Sequence, residues 1–180
     1  VAERLEQLGY ALTVGKEGMP RGAPNQVPKA EVLAEQEARA LQQGTPEKWL
    51  DRMRGGFTAL WADLDCGEGP LVALRFDLDA NDCVESAEAA HRPHAAGFAS
   101  VQAGAMHACG HDGHVAVGLA VAAALAAQRS QLRGKIRLIF QPAEEGVRGA
   151  KAMVSAGAVE KVDYLLGAHI GFKATRTGQV

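Results

Sequence analysis

Residues 112–141 read DGHVAVGLAVAAALAAQRSQLRGKIRLIFQ, a helix-forming run that gives way, past Gly134, to a compact apolar strand. The 13 residues from Val115 to Ala127 are uncharged and rich in alanine, and they fall short of the ~20 apolar residues that a bilayer span requires. The spacing predicts a buried helix from about Gly113 to Gln128, with Asp112 as its N-cap. Lys135 to Gln141 (KIRLIFQ) has the apolar, β-branched character of an interior strand. Upstream, Phe57–Leu64 (FTALWADL) and Leu71–Leu78 (LVALRFDL) are two more strands, parted by the turn residues Asp65, Gly67, Glu68, Gly69 and Pro70. Downstream, a helix over 148–156 and a strand over 164–168 complete the alternation. Strands alternating with helices define an α/β fold class: a central mixed, largely parallel sheet flanked by helices.

Before this block the chain is more helical. Residues 1–8 place Val1, Leu5 and Leu8 on one helical face, Gly9 stops the helix, and a short strand follows at Tyr10–Val14. Gly15–Pro28 has the composition of an exposed loop. Lys29–Gln43 is rich in helix formers, and Thr45 with Pro46 starts a second helix that runs to Met53. The segment of about 29–54 is expected to be a helical insertion. Residues 81–104 show no sustained period and read as a surface excursion, and Gly178-Gln179-Val180 reads as the opening of a further strand.

The 180 residues are 47% hydrophobic and 22% charged, the composition of one globular domain. Nineteen Lys and Arg against 21 Asp and Glu give a net charge of −2, so no basic field exists to hold nucleic acid or an anionic membrane surface. Cys66, Cys83 and Cys109 do not form a disulfide framework, which points to a reducing, cytoplasmic compartment. Nothing at the start of the sequence reads as a secretory signal, and the chain is expected to be a fragment of a longer protein with an exposed apolar sheet edge.

Five of the six histidines lie between positions 91 and 114, and three of them fall within Met106-His-Ala-Cys-Gly-His-Asp-Gly-His114. In an extended segment alternate side chains share a face, so Cys109 and His111 can converge on one ion. Gln141-Pro-Ala-Glu-Glu-Gly146 follows the apolar strand directly. Adjacent carboxylates repel unless something cationic holds one of them. Glu145 is therefore a candidate metal ligand, and Glu144 is a candidate for proton exchange with an activated water. Asp77 and Asp79 end another strand on one side, suited to orient a cation or a ligating histidine. His169 follows the last strand. Strand ends thus deliver Asp, Cys and His, Glu, and His, a donor mixture suited to Zn²⁺, Mn²⁺ or Co²⁺. His91 and His94 read as loop residues near the entrance.

Two alternatives stay open on the residues alone. One is a cysteine amidase with Cys109 as nucleophile and His111 or His114 as base; the other is a metal-binding or partner-binding module without activity.

Four motifs in order, DLDA (77–80), MHACGHDGH (106–114), FQPAEEG (140–146) and GAHIG (167–171), closely resemble the co-catalytic metallopeptidases that include aminoacylases, carboxypeptidase G and plant auxin-conjugate amidohydrolases. Residues 29–54, GGFTA at 55–59 and HRPHAAGFAS at 91–100 look most like the branch that hydrolyses p-aminobenzoyl-glutamate. The resemblance implies that 1–180 is the N-terminal part of a zinc-exopeptidase-like catalytic domain, with a lid and dimerisation domain outside the chain. It implies two divalent ions, Mn²⁺ or Zn²⁺, held by Cys109, His111, Glu145 and His169. Glu144 would be the general base and Asp79 a carboxylate orienting the site, while Asp77 stands where the wider family carries a ligating histidine. The implied reaction is hydrolysis of an amide joining an acyl or aroyl group to an amino acid, in a dimer that could include a homologous second subunit. The family motif continues DMDAL-P, whereas this chain has Asn81 and Asp82 after Ala80.

Overall fold

Alternation along β2 (Leu60–Asp65) divides the core in two. Leu60, Ala62 and Leu64 pack on one face with Leu5, Tyr10, Trp49, Leu138 and Phe140, and Trp61 packs on the other with Met19, Ile139, Ala152 and Met153. A strand buried on both faces reads as a near-continuous apolar run, and β2 and its neighbour β4 (Lys135–Gln141) both do. The computed structural model describes residues 1–20 and 27–171. Residues 21–26 of the expected loop and the strand start expected at 178–180 lie outside them.

With β1 (Ala11–Val14), β3 (Leu71–Asp77) and β5 (Tyr164–Gly167), these strands form one five-stranded sheet in the order β1-β2-β4-β3-β5. The sheet is mixed: β1 and β4 run antiparallel to β2, while β3 runs parallel to both β4 and β5. The parallel half matters for function, because the carboxyl ends of β4, β3 and β5 open at the same end of the sheet. Helices α1 (Ala2–Gln7) and α5 (His111–Ala127) pack on one face, and α6 (Gly149–Ser155) on the other. Across β2 and β4, Arg137 faces its register partner Asp63 through two N–H donors, Nε to Oδ1 at 2.7 Å and Nη2 to Oδ2 at 2.9 Å. The Tyr10 hydroxyl donates to the Ala122 carbonyl at 2.9 Å, tying β1 to α5, and burial pushes its pKa up to about 12.

Several local expectations need correcting. Asp112 is not the cap of α5: Gly110 is, in left-handed conformation with φ 81°, and Asp112 sits in the first turn, where its charge suits the helix dipole. Thr45 does not cap the second helix either, since Pro46 is the N-cap of α3 (Glu47–Met53) and no side chain bonds to the free amides. On α1 the buried residues are Ala2 and Leu5, with Val1 exposed. The stretch after β1 is not simply an exposed loop, because Gly15, Gly18 and Met19 are buried. α2 (Ala30–Gln42) buries none of its residues, so its apolar positions lie along the surface. One short helix, α4 (Arg92–Ala95), interrupts the excursion over 81–104. β5 forms an edge of the sheet, and Tyr164, Leu165 and Leu166 are exposed on it, as expected.

Candidate metal centre

Three strand ends and one helix start bring the candidate residues together. β3 ends at Asp77 and leads into Asp79; β4 ends at Gln141 and leads into Glu144 and Glu145; β5 leads into His169; α5 begins at His111, just after Cys109. Donor atoms of Cys109, His111 and His169 lie within 4.8 Å of one another, and so do those of His111, Glu144 and Glu145. These two groups contain all four expected ligands and the expected base. Cys109 and His111 converge by a different route from the one expected. They are not on extended backbone: a turn closed by Gly110 carries Cys109, and His111 is already in the helix.

The histidines are individually oriented. His111 is fully buried, and its Nδ1 lies 3.0 Å from the Asp79 carbonyl oxygen and 3.3 Å from Asp79 Oδ1. Donation from Nδ1–H fixes the tautomer and leaves a lone pair on Nε2, which has no hydrogen-bond partner among the described residues. His169 repeats the pattern: Nδ1 lies 2.7 Å from the Ile170 carbonyl, and Nε2 faces Cys109 Sγ at 3.4 Å. A histidine held at one nitrogen by a carbonyl or carboxylate, with the other nitrogen free, is the usual condition of a metal ligand. Asp79 also accepts the backbone N–H of Glu145 at 2.9 Å through Oδ2, so one carboxylate steadies both His111 and the Glu pair.

The two glutamates diverge. Glu145 lines a cleft of about 570 Å³ together with Asp79, Asn81 and Thr58, whereas Glu144 lines a second, more apolar cavity of about 590 Å³ together with Arg75 and Gln141. Their loop is strained, since Ala143 and Val147 hold φ of 54° and 52°, a region costly for residues with a Cβ and most of all for a β-branched one. Burial pushes the Cys109 thiol above its ordinary range, and Glu145, Glu144 and Asp77 push it further. Burial and then the neighbouring His169 hold His114 below the usual histidine value. His91 pairs with Glu85 at 2.8 Å and starts α4, while His94 and His107 are exposed. All three cysteines are free thiols.

Three further residues of the site carried no expected role as partners. Arg75 Nη2 lies 2.6 Å from Oδ1 of the fully buried Asp77, and Arg75 Nε donates to Gln141 Oε1 at 3.1 Å. Asn81 Oδ1 accepts the Cys109 N–H at 3.1 Å, and its backbone pairs in both directions with Met106. His114 faces Asp77. Of these contacts, only that of Arg75 with Asp77 is foreshadowed by local spacing: Arg75 stands two residues before Asp77 on a strand, hence on the same face.

Residues 73–180 match Peptidase family M20/M25/M40, and the chain belongs to that family. It is 51% identical over 172 residues, 95% of its length, to one of the subunits of the p-aminobenzoyl-glutamate hydrolase of Escherichia coli and, equally, to an indole-3-acetyl-aspartic acid hydrolase of Enterobacter agglomerans. The chain covers 39% of each, about two fifths of the length of these relatives. Among solved structures it resembles an aminobenzoyl-glutamate utilization protein from Klebsiella pneumoniae, with TM-score 0.77 and 40% identity over 96% of this chain and 38% of that one. It also resembles the Bacillus subtilis YXEP protein, described as a dinuclear metal binding peptidase of the M20 family, with TM-score 0.57 and 28% identity over 94% of this chain and 43% of that one.

Proposed function

We propose that this chain carries the larger part of the metal centre of an amide hydrolase that releases an amino acid from an acyl or aroyl group, with p-aminobenzoyl-glutamate as substrate. The observation that supports it most is the convergence on one place of His111 and His169, each with Nδ1 against a carbonyl oxygen, with His169 Nε2 facing Cys109 Sγ at 3.4 Å and a His111 nitrogen within 4.8 Å of the Cys109, Glu144 and Glu145 donors. Cys109, His111, Glu145 and His169 would hold two divalent ions, Mn²⁺ or Zn²⁺, a donor set that fits either. When bound, such ions polarise a carbonyl and lower the pKa of water from 15.7 to about 7.

The chain's own residues do the rest. Glu144 takes the proton of the attacking water as its oxygen bonds to the carbonyl carbon, then delivers that proton to the amide nitrogen as the C–N bond breaks. Asp79 orients His111 and the Glu145 backbone. A cysteine nucleophile at Cys109 would leave the converging His111, Glu144 and Glu145 donors without a role. The p-aminobenzoyl-glutamate assignment is supported by the 51% identity to a component of that hydrolase, and the same similarity supports assembly with a homologous partner. Free thiols support function in a reducing cytoplasm. Among the described residues no helix is long and apolar enough to cross a membrane.

The test is glutamate release from p-aminobenzoyl-glutamate by the full-length protein, first stripped by a chelator and then given Mn²⁺ or Zn²⁺. Activity is expected to vanish on stripping and return with metal. Hydrolysis of indole-3-acetyl- or acetyl-amino acids instead would keep the mechanism and discard the substrate. Activity indifferent to chelation would discard the metal, and metal uptake without hydrolysis of any acyl-amino acid would leave a binding module.

Asn81 supplies a second check. Its carboxamide holds the Cys109 amide, where the family motif has leucine, so Asn81→Leu is expected to weaken metal binding by about 10-fold, the lower end for loss of a residue that orients a ligand. Calorimetric titration with Mn²⁺ reads this directly, and wild-type affinity would show that the backbone pairing of Asn81 with Met106 alone holds the loop.

A further inference from the structure

His114 stands out because one of its ring nitrogens accepts a backbone N–H. Its Nε2 accepts the backbone N–H of Ile170 at 3.0 Å, so that nitrogen has no lone pair for an ion, and Nδ1 is then the protonated nitrogen. Nδ1 lies 3.2 Å from Asp77 Oδ2, and Asp77 is itself backed by Arg75 at 2.6 Å. This is the reverse of His111 and His169, whose Nε2 atoms are free of backbone donors. The ring of His114 also meets that of His169 edge-on, at 4.7 Å between centroids.

The same turn of α5 receives the Ile170 side chain. A Cβ on Gly113 would lie 2.4 Å from Ile170 Cδ1, and one on Gly110 would lie 3.8 Å from the Ile170 side chain. Ile170 thus sits on two glycines while its N–H is held by His114, and this seat fixes the residue next to His169.

We propose that His114 is a positioning residue: held by the Asp77–Arg75 pair, it docks the His169–Ile170 segment onto the first turn of α5 and is not itself a metal ligand. Donor atoms of Asp77, His114 and His169 do lie within 4.8 Å of one another. An ion placed among them would have to displace either the Ile170 amide from Nε2 or the proton from Nδ1, so the docking role is favoured. This inference rests on the metal reading above.

Its test is titration of the full-length protein and two variants, His114→Phe and His114→Gln, with Co²⁺, read by calorimetry and by the thiolate-to-cobalt absorption band. Phenylalanine fills the space but accepts no hydrogen bond, whereas glutamine can place Oε1 near the position of Nε2. His114→Phe is expected to bind as many cobalt ions as wild type, with affinity lowered about 10- to 100-fold and the absorption band shifted. His114→Gln is expected to recover most of that loss. One cobalt ion fewer in both variants would make His114 a ligand and overturn the proposal, and so would unchanged affinity in His114→Phe. Should His114→Phe fail to fold, His114→Gln decides alone: the full complement of ions at near wild-type affinity supports docking, and loss of an ion overturns it. A wild-type protein that takes up no cobalt overturns the metal reading and this inference with it, whereas normal uptake with His114→Phe folded and unaffected overturns this inference alone.

Discussion

Glu144→Gln in the full-length protein is expected to lower kcat by about 10²- to 10⁴-fold, the range for a positioned proton-transfer group, while metal content stays at the wild-type level. Glutamine matches glutamate in shape, so the loop over 142–148 and the Glu145 amide bond to Asp79 remain, and only the ability to take a proton is lost. Glu144 is suited to that task by its place. It is half-buried, diverges from Glu145 into a different cavity, and still has a carboxylate oxygen within 4.8 Å of the His111 and Glu145 donors. Steady-state kinetics paired with elemental analysis separates proton transfer from ligation. Because the loss is confined to the transition state, kcat and kcat/KM should fall together. Metal-replete protein with near-normal kcat would remove Glu144 from the mechanism, and a fall in metal content would make it a ligand.

What can be read from the sequence, and what cannot, divides along a physical line. β2, β3 and β4 are legible because strand interiors are written in local apolar runs, and the candidate site is legible as a cluster because the residues proposed as ligands lie at the ends of those runs. The start of α5 is not, because Gly110 ends its turn through backbone conformation, φ 81°, while Asp112 merely has the composition of a cap. Convergence of Cys109 and His111 is expected for the wrong geometric reason, since a tight turn and an extended strand can bring the same two residues together. The orienting contacts lie beyond local reading. Asn81 meets Cys109 across 28 residues, His114 meets Ile170 across 56, and Arg75 meets Gln141 across 66. Burial of Met19 against Trp61 has the same origin, a tertiary contact that overrides a loop-like composition.

Gly149→Ala is expected to produce the second large effect, because position 149 has no room for a methyl group. A Cβ there would lie 1.6 Å from the carbonyl oxygen of Pro142 and 2.7 Å from its carbonyl carbon, and backbone cannot yield as the end of a flexible side chain does. The loop that would have to give is closed on itself. Arg148 and Gly149 both donate N–H to the Ala143 carbonyl, at 3.1 and 3.3 Å, and Val147 donates to the Glu144 carbonyl at 2.7 Å. Ala143 and Val147 already occupy positive φ, so no slack remains. The strain must therefore unseat α6 or push the Pro142 carbonyl outward and carry Glu144 and Glu145 with it. The first route predicts a stability loss of about 3 kcal/mol or more, the upper range for overpacking. The second predicts a kcat loss of about 10²-fold, since a 1 Å misplacement of a reacting group costs that much. Thermal unfolding and kcat measured on one preparation tell the routes apart, and a variant that keeps both at wild-type values would show that the 142–149 loop does not constrain the glutamates.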